Sequence, residues 1–242
     1  MIKKFGWIIG YVGLLILFLS LGIWQLNRAD EKEQFLSNQA DRMKEQLNLT
    51  SQTTDEMAHL RFKNAVVNGY YDTAQQFLLD NQILAGKTGY FVLTPFKLEN
   101  STKAILVNRG WIPLLTPRSQ LPNVTMQADG LKTLTGRLNS FPSIGIKLEG
   151  ANLPTKTIPA VLGVVDIEVL SKKIGYELFS VQLELDASLP DGFKREWTTS
   201  QIMQPQQHLA YALQWFGLAF VLTIIFIKFR LRKNDNTPTT QK

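Results

Sequence analysis

The stretch from His208 to Ala219 reads His-Leu-Ala-Tyr-Ala-Leu-Gln-Trp-Phe-Gly-Leu-Ala and opens a run without a fixed charge that lasts to Ile227. Such a run can cross a bilayer, and polar groups at membrane depth face protein, water or a ligand rather than lipid. His208, Tyr211, Gln214 and Trp215 are therefore the first candidates for chemistry. A second set, Trp24, Gln25 and Arg28, lies at the end of another uncharged run, Phe5–Leu26. If the two runs form antiparallel helices, both sets share one leaflet. Steps of three and four then bring His208, Tyr211 and Trp215 toward one helix face. Together the residues offer one imidazole, one permanent cation, aromatic planes and amide donors in an apolar setting. A haem site asks for the same things: a neutral imidazole for iron, aromatic and apolar walls for the macrocycle, and a guanidinium near water for the propionates. The residues also fit a plainer reading, an aromatic belt in which Trp24 anchors, Arg28 snorkels and His208 sits among headgroups.

The elements that must position these side chains are two membrane spans and the domain between them. At about 1.5 Å per residue each uncharged run makes a helix of roughly 30 Å, the thickness of a hydrocarbon core. The spacing predicts a lead at 1–4, a first span at 5–27, an outer domain at 28–207, a second span at 208–229 and a tail at 230–242. Between Ala29 and Gln207 acidic residues outnumber basic ones 19 to 18, so the net charge of +6 resides in the flanks. That excess is a topology signal and not a nucleic-acid footprint. Lys3 and Lys4 before the first span, and Lys228, Arg230, Arg232 and Lys233 after the second, predict cytoplasmic termini and an exported middle domain. A cleaved signal peptide is the alternative for the first run, but the run is long and no Ala-x-Ala site follows it. Gly6, Gly10 and Gly13 form a smooth strip on that span.

The middle domain reads as a polar helix over Asp30–Leu49, a loop over Ser51–Glu56, and then a β-rich stretch. Strands are expected over Arg61–Tyr71 with an interruption at Asn68-Gly69, then over Gln76–Leu84, Tyr90–Leu98, Lys103–Val107, Leu131–Leu138 and Tyr176–Asp186. Their short connections suggest an antiparallel meander, closed as a small barrel in one reading. Thr116–Asp129 and Asn139–Pro159 read as loops. A short helix over Asp166–Ile174 has Asp166 as N-cap and Gly175 as its stop. Leu189–Gln207 is an irregular approach to the second span, with Pro205 just before it. No coiled-coil heptads and no internal repeat are visible. The fold class is thus an α+β membrane protein, two transmembrane helices flanking an outer domain dominated by an antiparallel sheet or small barrel.

Catalytic signatures are missing. The chain has no cysteine and two histidines, which removes disulfides, thiolate chemistry and multi-histidine metal sites. No Gly-x-Ser-x-Gly, His-Glu-x-x-His, P-loop or Gly-x-Gly-x-x-Gly occurs. An ordinary soluble enzyme is not expected.

Leu21-Gly-Ile-Trp-Gln-Leu-Asn-Arg28 with Lys32, Gly89-Tyr-Phe-Val-Leu-Thr-Pro95, Val107-Asn-Arg-Gly-Trp111 and His208-Leu-Ala-Tyr-Ala-Leu-Gln-Trp215 resemble the surfeit-locus family of cytochrome c oxidase assembly factors. The resemblance runs from about Leu21 to Ala219. It implies two spans with a large domain on the outer side, and a role in delivering or stabilising haem a for insertion into the oxidase's catalytic subunit. The family's haem-linked histidine corresponds to His208, which would also be the metal ligand. Trp24, Gln25, Arg28, Tyr211, Gln214 and Trp215 would complete a haem a site. Partners implied are the cytochrome c oxidase catalytic subunit, the haem a synthase and membrane lipid, with no nucleic acid. A bacterial member would sit in the inner membrane with its domain in the periplasm. Arg109 and Trp111 read either as partner contacts or as structural residues at a strand end. Rival readings are a membrane-anchored scaffold that grips the oxidase and binds no haem, a haem-modifying enzyme, and an adaptor from another system.

Overall fold

A computed structural model describes residues 2–49, 57–127, 130–142, 150–197 and 203–235. The expected loop over Ser51–Glu56, part of the 139–159 loop and the tail beyond 235 lie outside the described residues. Among the described residues four helices and eight strands follow in the order α1 (Ile2–Lys44), β1 (Gln46–Asn48), α2 (Met57–Leu60), β2 (Asn64–Tyr71), β3 (Phe77–Leu84), β4 (Lys87–Leu98), β5 (Ala104–Pro113), β6 (Lys132–Asn139), β7 (Ala160–Leu162), α3 (Ile167–Ile174), β8 (Leu178–Leu185) and α4 (Pro205–Asp235). They form two units, a helical one of residues 1–38 and 199–242 and a β-rich one of residues 39–198.

In the helical unit, α1 and α4 are each long and apolar enough to cross a membrane. α1 is one continuous helix, not a span followed by a separate polar helix. No proline interrupts residues 2–44, and the good helix formers Glu, Lys, Gln and Leu carry the helix past Arg28. Pro205 is the first residue of α4, where its missing N–H costs nothing. Gln207 reaches back to accept the Gln204 backbone N–H at 3.1 Å, the reciprocal half of a capping box.

In the β-rich unit, β2, β6, β8, β5 and β4 pair in that order, and β2–β4 pairing closes the ring into a five-stranded barrel. Alternation fills its interior: Ala65, Val67 and Tyr71 from β2, Phe96 and Leu98 from β4, Ile105 and Val107 from β5, and Phe179, Val181 and Leu183 from β8. The antiparallel meander expected from sequence holds for β3–β4–β5. Three pairings are parallel instead, β1–β2, β3–β7 and β5–β8. β3–β7 and β5–β8 join strands distant in sequence, β1–β2 is joined by a crossover through α2, and none leaves a turn signature. The Asn68-Gly69 step is not a bulge. Both residues pair in regular register with β6, and glycine is needed because a Cβ there would sit 1.9 Å from the Lys97 carbonyl oxygen. The β3–β4 turn is also tighter than expected. Ala85 and Gly86 both take positive φ, giving a two-residue hairpin in which Lys87 already pairs with Leu84. α3 has the expected ends: the Asp166 side chain accepts from the Val169 N–H, and Gly175 closes the helix in the left-handed region.

Candidate functional site

Side chains of α1 and α4 meet at successive levels of an antiparallel pair. Tyr11 stacks on Phe226 with ring centroids 4.0 Å apart, and its hydroxyl lies 3.1 Å from that of Thr223. Phe18 and Trp215 follow at 5.9 Å. The ring of Phe216 fills the notch left by Gly22, where a Cβ would fall 2.5 Å from it. At the end of the pair away from Tyr11, Gln25 meets His208 at 2.8 Å. The inward residues recur at steps of three and four: Leu15, Phe18, Gly22, Gln25 and Ala29 on α1, and His208, Ala212, Trp215, Ala219 and Leu222 on α4. This is a heptad seam, contrary to the sequence expectation. It was hidden because every other position is apolar too, so the seam is marked by small and polar residues.

His208 is buried, 7% exposed. Its Nδ1 lies 2.8 Å from Gln25 Oε1, an acceptor that a proton on Nδ1 satisfies, and Gln25 does not engage Nε2. Nε2 is buried and has no hydrogen-bond partner among the described residues. A buried polar atom in that state calls for an explanation, and a metal or a donor outside the chain supplies one. A histidine tied through one ring nitrogen and free at the other is the arrangement used by metal-ligating histidines. Nε2 is therefore the atom at which a metal ion or an outside donor would bind.

The remaining residues divide. Trp215 lies in the seam beside His208's own helix face. Tyr211 does not: it is 44% exposed, and Ala212 takes the inward place. The expected step from 208 to 211 to 215 is thus replaced by 208 to 212 to 215. Alanine lets the helices approach where a phenol ring would hold them apart. Gln214 and Trp24 are also exposed. Arg28 packs its guanidinium over the Trp24 ring at 5.7 Å and forms an exposed ion pair with Glu31 at 2.6 Å. Of the seven residues singled out in sequence, Gln25, His208 and Trp215 line the seam, whereas Trp24, Arg28, Tyr211 and Gln214 occupy the outside of the hairpin.

Arg109 and Trp111 belong to the β-rich unit, and both are buried. Arg109 donates through Nε to the Asp191 carbonyl at 2.7 Å and through a terminal nitrogen to the Val124 carbonyl at 3.1 Å, and stacks over Phe193 at 5.2 Å. Burial lowers its pKa, an effect opposed by Tyr71 and Asp191 nearby. Trp111 donates its indole N–H to the Gln82 carbonyl and packs over Gly89. These contacts tie loops to the sheet. Sequence reasoning missed a buried polar network on β5, β6 and β8. In it Arg137 pairs with Glu184 at 2.6 Å, Asn139 donates to Glu184 at 2.9 Å, and Asn108 donates to Gln182 at 3.0 Å. Alternation alone assigned those outward positions to solvent, so no signal marked them.

Comparison with known proteins adds an independent line. The model of the SURF1 family matches residues 12–220. A SURF1-like protein of Rickettsia felis is 26% identical over 231 residues, covering 88% of this chain and 92% of its own length. One from Rickettsia bellii is 29% identical over 234 residues, with 87% and 85% covered. The surfeit locus protein 1 of Arabidopsis thaliana is 24% identical over 271 residues, with 88% and 76% covered.

Proposed function

The chain belongs to the SURF1 family, whose members serve cytochrome oxidase assembly, and from that premise we propose that it delivers or stabilises haem a for the oxidase's catalytic subunit. The observation that carries the reading is His208, held through Nδ1 by Gln25 with a buried, unpartnered Nε2. In this reading His208 would hold the haem iron through Nε2, and Gln25 would fix its tautomer. Trp215 and Phe18 supply apolar wall, and Arg28 with Trp24 marks the level where propionates reach water. Tyr211 and Gln214 lie on the flank of the same hairpin. Bound haem brings the redox-active iron; the chain brings a pre-set ligand in a dry seam and no catalytic group. The haem a synthase and the oxidase catalytic subunit are the donor and the recipient on this account.

The basic residues Lys3, Lys4, Lys228, Arg230 and Arg232 support cytoplasmic termini and a domain on the outer face of a bacterial inner membrane. The test is the visible spectrum of the detergent-purified full chain from cells that make haem a. Stoichiometric haem whose Soret band is lost or displaced in His208→Ala is the expected result. Wild-type protein that co-purifies with the oxidase yet carries no haem supports a docking scaffold instead, a reading favoured by the outward placement of Trp24, Tyr211 and Gln214.

A further inference from the structure

The seam of the helical hairpin ends on like charges. Its steps of four and three, run back along α1 from Tyr11, pass Ile8, which is half-buried, and arrive at Lys4. On α4 a second row, with members seven residues apart, meets α1 beside the seam. Phe216 fills the notch at Gly22, and the Thr223 hydroxyl lies 3.1 Å from that of Tyr11. The next member of the row is Arg230, which is exposed. Because the helices run antiparallel, one heptad carries the pairing of 223 with 11 to that of 230 with 4. Position 230 on α4 thus faces position 4 on α1, and both residues are basic.

No acidic residue stands between them. α1 has no Asp or Glu before Asp30, and α4 has none before Asp235. Lys3, Lys228, Arg232 and Lys233 lie on the same turns, so six cations gather at this end of the hairpin and the first acid comes after the last of them. The opposite end of α1 differs. There Arg28 pairs with Glu31 at 2.6 Å, and Asp30 and Glu33 flank Lys32. That end is neutralised from within the chain, whereas this one draws its counter-charge from outside.

Depth decides which anion is at hand. Both membrane-crossing helices reach the bilayer surface here, and Trp7 and Phe229 are exposed at the same level. Aromatic rings at a span's end sit in the headgroup layer, among phosphodiesters. A guanidinium grips a phosphate through two parallel bonds, and an ammonium adds a point charge. We propose that Arg230 and Lys4 clasp the phosphate of one anionic phospholipid across the end of the seam. The four cations around them favour a headgroup that carries no cation of its own. The phosphate ties together two helix ends that carry like charge and would otherwise repel. This proposal rests on the two spans and not on haem binding.

The test is native mass spectrometry of the detergent-purified full chain, mixed with equal amounts of phosphatidylglycerol and phosphatidylcholine. The expected result is one phosphatidylglycerol retained per chain in preference to phosphatidylcholine. Arg230→Gln and Lys4→Gln should each lower that retention about tenfold. Lys228→Gln removes the same charge from the side of α4 turned off the seam and should stay within about twofold of wild type. Glutamine is a good helix former, so each variant keeps the hairpin. Equal retention of the two lipids, equal loss in Lys228→Gln and Arg230→Gln, or displacement of the lipid by inorganic phosphate each overturn the proposal.

Discussion

Replacing Gln25 by leucine isolates what the seam does for His208. The side chains are similar in volume, so packing beside Gly22 and Phe18 is kept while the acceptor is lost. The wild-type bond is 2.8 Å long and links helices 183 positions apart in sequence. Its removal leaves a buried N–H unsatisfied, at a cost of about 1–3 kcal/mol to the paired state of the helices. The imidazole then has no reason to keep its proton on Nδ1, and its ring is free to turn. Losing such an orienting partner typically weakens metal binding about 10–100-fold, or about 1.4–2.8 kcal/mol at 1.4 kcal/mol per decade. The assay is a haem titration of the purified full chain followed at the Soret band, with ¹⁵N NMR of the labelled imidazole in apoprotein as a reading that needs no haem. Gln25→Leu should bind about 10–100-fold more weakly and show mixed tautomers. Gln25→Glu, which still accepts from Nδ1, should recover most of the affinity. Wild-type apoprotein with its proton on Nε2, or Gln25→Leu binding haem within twofold of wild type, refutes the reasoning.

Three further outcomes concern the β-rich unit, each followed by thermal or denaturant unfolding. Arg137→Leu strands the buried Glu184 carboxylate and should cost about 3–5 kcal/mol, whereas Arg137→Leu with Glu184→Leu should recover most of the loss. Gly69→Ala drives a methyl into the Lys97 carbonyl and should cost about 3 kcal/mol or abolish folding, because a barrel strand cannot yield there without losing register. Tyr71 is buried, its hydroxyl lacks a partner among the described residues, and burial raises its pKa; Tyr176 is raised too, first by burial and then by its bond to Asp72. Both phenols stay protonated in the fold after the unfolded chain ionises, so stability holds below about pH 10 and falls as pH rises from there toward the folded pKa values. Tyr71→Phe should leave neutral-pH stability unchanged within about 1 kcal/mol and flatten part of the alkaline loss; an unaltered alkaline limb contradicts this account.

Local signals in the sequence located most elements because their causes are local. Asp166 and Gly175 bracket α3, Pro205 starts α4, and alternation marks β2, β4, β6 and β8. The long-range features had no such cause. The parallel β5–β8 and β3–β7 pairings depend on which strands the closed barrel brings together. β7 itself, Ala160–Leu162, is too short to stand out from a loop rich in Gly and Pro. The buried Arg137–Glu184 pair looks in sequence like two solvent-facing residues on alternating strands. In the candidate site, depth was legible and rotation was not. Uncharged runs fix how far His208 and Gln25 lie along their helices. Which neighbours turn inward depends on the phase of a seam that hydrophobicity cannot reveal when every face is apolar. Choosing 212 over 211 needs the knowledge that Ala212 meets α1 where Tyr211 would not fit.

That choice of phase links packing to what the hairpin can do. In water a heptad seam is the greasiest stripe of a helix, and it closes by expelling solvent. In a bilayer no such force acts between two apolar helices, so association falls to van der Waals fit and to the few polar bonds available. This hairpin places its fit at Gly22 with Phe216 and Tyr11 with Phe226, and its outermost polar bond between Gln25 and His208. His208 is therefore one of the few residues whose polar bond holds the two helices together. Nδ1 serves the fold and Nε2 is left over, a division that an aliphatic seam could not provide and that an aromatic belt would not require. Tyr211, Gln214, Trp24 and Arg28 are exposed and take no part in closing the hairpin.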